Sequence, residues 1–178
     1  SAGTYIDEAT GATVTMAPGD VITAVMPSMA AGTTLNGIQV TPVTAMAQAM
    51  ASHMAGGLTD ANIAAASKAM GQYFAVSDIL HVPPMNPLVP GSGTGASVDS
   101  QNYGMTMAAM SKYAQTLGLS SSSAIVTAMM NDASDGVLNG LAGSVPVQMG
   151  GMGGGMMMPS NAGGAGMGAA MSAFMSSA

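Results

Sequence analysis

Cysteine, tryptophan and arginine are absent from this chain of 178 residues, and lysine occurs only as Lys68 and Lys112. Without cysteine there is no disulfide framework, zinc ribbon or thiol chemistry. Two lysines against eight acids give a formal net charge of −6. Nucleic-acid binding needs several cationic side chains to release counterions from phosphates, so this composition all but excludes it. Anionic membrane surfaces are disfavoured for the same reason. Charged residues make up 6% of the chain, where an ordinary domain has about a quarter. A soluble monomer normally carries a surface richer in charge. This sparse Ser/Thr/Gly/Ala surface instead suits lateral packing, which points to other copies of the chain or a surface-complex protein as partner. No window holds the roughly 18 consecutive apolar residues of a helical span, so no membrane span is expected.

What remains is an aliphatic and thioether-rich chain. Hydrophobic residues reach 48%, aromatic ones only 3%, and there are 21 methionines. The core must be built from Ala, Met and a modest number of Val, Ile and Leu. Alanine lets helices approach closely, and unbranched methionine fills irregular gaps. The length suits one domain, with or without an appendage. The first residues, Ser1-Ala2-Gly3, include no initiator methionine and no signal-like charged or apolar region. The expectation is a chain whose leader or upstream segment has been removed, or a piece of a longer protein.

Residues 1–40 read as β. Thr4-Tyr5-Ile6 and Ala12 to Met16 flank a turn-forming loop, Asp7 to Gly11, as in a hairpin. Val21 to Met26 is β-branched and stops at Pro27, while Thr33 to Leu35 and Ile38 to Val40 flank Asn36-Gly37, a strong short hairpin signal. At Thr41-Pro42 the pattern changes to a helix with its N-cap and first-turn proline. Val43, Met46, Ala47, Met50 and Met54 then share a face up to Gly56-Gly57. Thr59 caps a second helix with Ile63, Ala66, Met70 and Phe74 on one side. The proline-rich stretch His81 to Gly91 cannot be helical. A third helix is predicted from about Asp99 to Leu117, with Tyr103, Met107, Met110, Ala114 and Leu117 as its stripe and Gly118 as its stop. Ser120 or Ser121 caps a fourth, which ends near Asp135-Gly136. Gly143 to Ala178 holds ten glycines, eight methionines and no charged side chain. Its last part, Gly168 to Ser176, is predicted to be a short helix. The predicted fold is α+β: a β element at 1–40, a helical domain of about four helices at 41–142, and a Gly/Met-rich tail at 143–178.

The run Ala2 to Gly11, then Val40-Thr41-Pro42-Val43-Thr44, then Gly57 to Ile63, then Asp132 to Gly140 resembles a group of exported bacterial surface proteins. In them an immunoglobulin-like or carboxypeptidase-regulatory-like β-sandwich precedes a small helical domain. The resemblance covers residues 2–142 by order and spacing. It implies that the first strands are the remnant of an upstream sandwich, and a location at the cell surface or outside the cell. The tail departs from that group. Its Gly-Gly-Met units are similar in composition to the flexible C-terminus of bacterial chaperonins, and nothing else in the chain matches a chaperonin.

Candidate chemistry is thin. Thioether sulfur is a soft ligand for Cu(I). Met149, Met152, Met156, Met157 and Met158 place five sulfurs within ten positions, and Met50, His53 and Met54 share a helical face. Against copper stands the use of methionine throughout: 13 of 21 lie outside the tail, most of them at core-like helical positions. Packing is the favoured reading and copper the alternative, with no other cofactor expected. His53 and His81 are the only histidines, and neither is read with an orienting carboxylate at helical spacing. Asp132, Asp135 and Asn139 around Gly136 carry too few oxygens in the wrong order for a calcium loop. Helix termination explains them better. Ser120 to Ser123 are hydroxyls without a base, and no nucleophile elbow or phosphate loop is present.

These readings converge on a non-enzymatic, secreted or cell-surface protein, a subunit of a filament, sheath or surface assembly. An accessory subunit coating a larger redox or membrane complex is a third reading. An uncharged tail is held only by close packing, on its own domain or on a neighbouring chain. The expected assembly contacts are Met152, Met156, Met157, Met158, Met171, Phe174 and Met175. The expected partner surface is another chain or, failing that, a groove between the helices at 42–55 and 99–117.

Overall fold

The structure, a computed structural model, describes residues 3–16, 19–150 and 155–177. It has the α+β fold expected from the sequence. Strands β1 (Thr4–Ile6) and β2 (Thr13–Thr15) form an antiparallel hairpin in which Tyr5 stands opposite Val14. Its turn is closed by Asp7, whose Oδ1 accepts from the amides of Ala9 and Thr10, both at 3.1 Å.

Four helices follow, each started by a hydroxyl cap. Helix α1 (Pro42–His53) begins with a reciprocal pair in which the Thr44 amide donates to Thr41 Oγ1 and the Thr41 amide to Thr44 Oγ1. Helix α2 (Asp60–Tyr73) is capped by Thr59, α3 (Val98–Thr116) by Ser97 and α4 (Ser122–Asp132) by Ser121. Such caps satisfy amides that have no intrahelical acceptor. Between α1 and α2, Asn62 Nδ2 donates to the carbonyls of Ala55 and Gly57, at 2.9 and 2.7 Å, and so holds the tight connection.

The predicted faces of α1 and α2 pack together, with Val43, Met46, Ala47, Ile63, Ala66, Met70 and Phe74 all buried. Tyr103 on α3 is fully buried and ties three segments. Its hydroxyl bonds Thr41 Oγ1 at 2.5 Å and donates to the Ile79 carbonyl at 2.9 Å. Burial pushes this phenol up to about 12, with the Thr41 bond opposing the shift. Helix α3 is buried on more than the single stripe expected, because Gly104, Thr106, Ala108, Ala109 and Ser111 are covered too. Its small residues admit neighbours on several sides. At Gly104 the proline-rich segment comes so close that a Cβ would lie 2.1 Å from the Met85 carbonyl oxygen. That segment is non-helical, as its prolines require.

Residues 21–40 depart from expectation. Val21 to Met26, Thr33 to Leu35 and Ile38 to Val40 form no strands. A strand needs a partner ladder, and the groups of this segment go elsewhere. Thr23 O accepts from Thr44 Oγ1 at 2.9 Å, the Ser28 amide donates to Asp60 at 2.8 Å, and the Gln39 amide donates to Leu80 O at 2.8 Å. The segment is a strap over α1 and α2. Gly37 does take the left-handed conformation expected of Asn-Gly (φ +73°), without a hairpin around it.

The tail also differs from expectation. Among the described residues two small antiparallel ribbons form at its start, β3 (Leu141–Ala142, just before the tail) with β4 (Val145–Pro146) and β5 (Gln148–Met149) with β6 (Met156–Met157). A π-helical turn at Ala162–Gly166 then leads into helix α5 (Met167–Met175). Helix α5 packs on α3, with Met167, Ala170 and Phe174 buried.

Candidate functional site

The acids have a common use. Each of the eight carboxylates accepts a hydrogen bond within the chain, and most of these bonds fasten an irregular segment to a helix or turn. Asp60 on α2 accepts from the amide and hydroxyl of Ser28, and Asp99 on α3 from the amide and hydroxyl of Ser77. These bonds, the hydroxyl's first, hold both carboxyls below the usual range for Asp. Asp20 accepts from Thr127 Oγ1 at 3.0 Å.

Asp132 is the most deeply placed acid, with no exposed surface. Its Oδ1 accepts from the amides of Asn139, Gly140 and Leu141 at 3.0, 2.8 and 3.1 Å. Its Oδ2 is buried without a partner among the described residues. Burial raises this carboxyl, with the three amides opposing the shift. Asp135 accepts from the amides of Val137 and Gly143 at 3.0 and 2.8 Å, and Gly136 between them is left-handed (φ +90°). The oxygens weighed for calcium thus serve backbone amides, and Gly136 ends the helical run as expected.

The tail methionines divide. Met149 and Met158 are buried, at 1% and 5% exposure, whereas Met156 and Met157 are 49% and 52% exposed. Met152 lies outside the described residues. Met171 is partly buried against the core, Phe174 is buried, and Met175 is 58% exposed. Of the seven residues expected to make assembly contacts, Met158 and Phe174 are therefore spent on this chain's own interior, while Met156, Met157 and Met175 face outward. On α1, Met50 and Met54 pack partly against the core. His53 is exposed, its Nδ1 2.9 Å from the Ala49 carbonyl, and it lines a surface depression with Met130 and residues 145–148. No cluster of three or more His, Asp or Glu side chains converges among the described residues.

The second histidine requires a correction. Asp78 Oδ2 lies 2.8 Å from His81 Nδ1, so an orienting carboxylate does exist. It stands three positions before His81, a spacing that the sequence expectation overlooked, and in the turn at 78–81 Asp78 Oδ1 also accepts from the Leu80 and His81 amides. The pair is half-exposed, and no serine completes it: Ser77 Oγ binds Asp99 and Ser100 Oγ donates to the Pro83 carbonyl.

The sequence reading also missed the corner where the N-terminal hairpin meets α3 and α4. Glu8, the only glutamate, accepts from Ser111 Oγ at 2.5 Å. Burial pushes its carboxyl up, the Ser111 bond opposes this, and neighbouring Asp7 adds to the rise. Tyr5 OH bonds Ser121 Oγ and Ser122 Oγ at 3.0 and 2.9 Å and accepts from the Ser123 amide at 3.2 Å. The serine run is thus a cap and a seat for the hairpin. The only local signal was a tyrosine and a glutamate in a chain with few of either.

The chain matches no family profile, no curated protein and no solved structure.

Proposed function

We propose that this protein is a non-enzymatic structural subunit, exported to the cell surface or beyond, that packs laterally against copies of itself in a filament, sheath or surface layer. One observation carries the reading. The acids are engaged internally, while large apolar side chains, Met156, Met157 and Met175 among them, stand exposed. Charge is the usual means of keeping like surfaces apart. Here it is scarce, and its carboxylates are already hydrogen-bonded within the chain. Apolar side chains exposed side by side, as Met156 and Met157 are, suit a contact face. The sparsely charged surface and the likeness to exported surface proteins support the location.

Negative-stain microscopy of the native material tests the proposal. Regular filaments, sheets or rings of this chain alone are the expected result. Uniform single particles of one chain would refute it, and particles in which the chain always accompanies unrelated subunits would favour the accessory-coat reading.

A further inference from the structure

A cavity of about 150 Å³ lies between the N-terminal hairpin and helices α3 and α4. Its walls are mostly apolar, from Ile6, Met16, Ile22, Met107, Met110 and Val126, and its polar groups are Glu8, Ser111, Tyr5, Ser122 and Ser123. We propose that this cavity binds a small primary amine carried on a single apolar ring, with the Glu8 carboxylate as partner of the ammonium group.

Size sets the first limit. An apolar cavity of this volume holds about one benzene-sized ring, with room for no more than a short polar arm at its Glu8 side. The walls set the second, since an apolar lining with a few convergent polar groups is the usual form of a small-molecule site. Charge decides the headgroup. Glu8 sits half-buried with no cation to offset it among the described residues: its charged neighbour is Asp7, of the same sign. Lys112 bonds Gln115 Oε1 at 2.8 Å and Lys68 is exposed on α2. Removing one partner from a desolvated charge pair is costly, so a carboxyl already desolvated gains most from a cationic ligand. Hydrogen bonding agrees. Ser111 occupies Glu8 Oε2, and among the described residues the carboxylate's one further donor is its own backbone amide. An ammonium group has three donors, and the hydroxyls of Ser111 and Ser122 line the same cavity as acceptors for the rest. A neutral alcohol of the same shape would fill the volume without relieving the carboxylate. The inference is independent of lateral assembly, and either can fail alone.

Titration of the full chain with benzylamine and with benzyl alcohol, followed by NMR, tests it. At neutral pH benzylamine is expected to bind about tenfold more tightly than benzyl alcohol, the difference one charge-assisted bond supplies. Glu8→Gln should remove that advantage and leave benzyl alcohol unchanged, and Met107→Trp should fill the cavity and weaken both. The unaltered protein provides a control free of folding defects. Ionisation of Glu8 as pH rises through its raised titration should tighten benzylamine alone. Equal affinity for the two compounds, no binding of either, or benzylamine affinity that ignores pH and Glu8→Gln would each overturn the proposal.

Discussion

The Gly140 amide donates to Asp132 Oδ1 at 2.8 Å, and this bond joins the end of the helical region to the start of the tail. Gly140 is left-handed (φ +83°) and pressed against the tail, where a Cβ would lie 3.0 Å from the Met158 carbonyl oxygen. The Val147 amide then donates to Gly140 O, and the Met158 amide to Val147 O. One buried carboxylate thus sets the course of the ribbons that follow. Asp132→Ala should cost about 2 kcal/mol or more, because it strands the amides of Asn139 and Gly140, while the Leu141 amide keeps Asn139 Oδ1 at 3.0 Å. Asp132→Asn keeps the Oδ1 acceptor and should cost less. Urea unfolding of the two variants measures the difference.

Stability should peak in mildly acidic solution. The folded-state pKa of Glu8 and Asp132 lies above the ordinary values of 4.5 and 3.8. The native state therefore binds protons more readily there, and stability falls as pH rises from those ordinary values through the raised ones. Asp60 and Asp99 are shifted the other way, below 3.8. Their contribution is present above that value and is lost as pH falls through the lowered ones. Urea midpoints across a pH series should show both limbs, and Glu8→Gln with Asp132→Asn should flatten the upper one. A midpoint that climbs steadily to neutrality would contradict this assignment.

Two glycine substitutions should move stability in opposite directions. Gly104→Ala drives a Cβ against the Met85 backbone, where no side-chain rotation can relieve it, and should cost about 1–3 kcal/mol. Gly168 lies inside α5 with nothing within 4 Å of its would-be Cβ. Gly168→Ala should stabilise by about 0.5–1 kcal/mol through helix propensity. Thermal melts distinguish the two.

The tail methionines should separate into two energetic classes. Met149→Ala opens a cavity in the core and should cost about 2–5 kcal/mol. Met156→Ala and Met157→Ala should stay within about 0.5 kcal/mol of the parent. Similar losses at all three positions would mean that β6 is covered within the chain.

Local chemistry made the helices legible. Thr41, Thr59 and Ser121 each announce a helix start, the left-handed Gly118 and Gly136 mark stops, and Met46, Met70 and Met129 lie on the faces their spacing predicts. Residues 21–40 were misread because β-branched composition describes a strand without supplying a partner for it. The ribbons of the tail escaped notice because they depend on Asp132 and Asp135, whose value as anchors appears only when amides seven to nine residues onward fold back on them. The bond between Glu8 and Ser111 spans 103 positions, and no periodicity in the sequence announces such a pairing.

The central claim is that the outward face of this chain is built for contact with its own kind. Sedimentation velocity of the parent chain beside a Met156→Lys, Met157→Lys, Met175→Lys variant tests it most directly. These three side chains are exposed, so charge there should leave the circular dichroism and the melting temperature unchanged. The parent should sediment as an assembly far larger than the 17.3 kDa chain, and the variant as a single chain. A parent that stays a single chain at every concentration, or a variant that assembles as readily as the parent, would contradict the account.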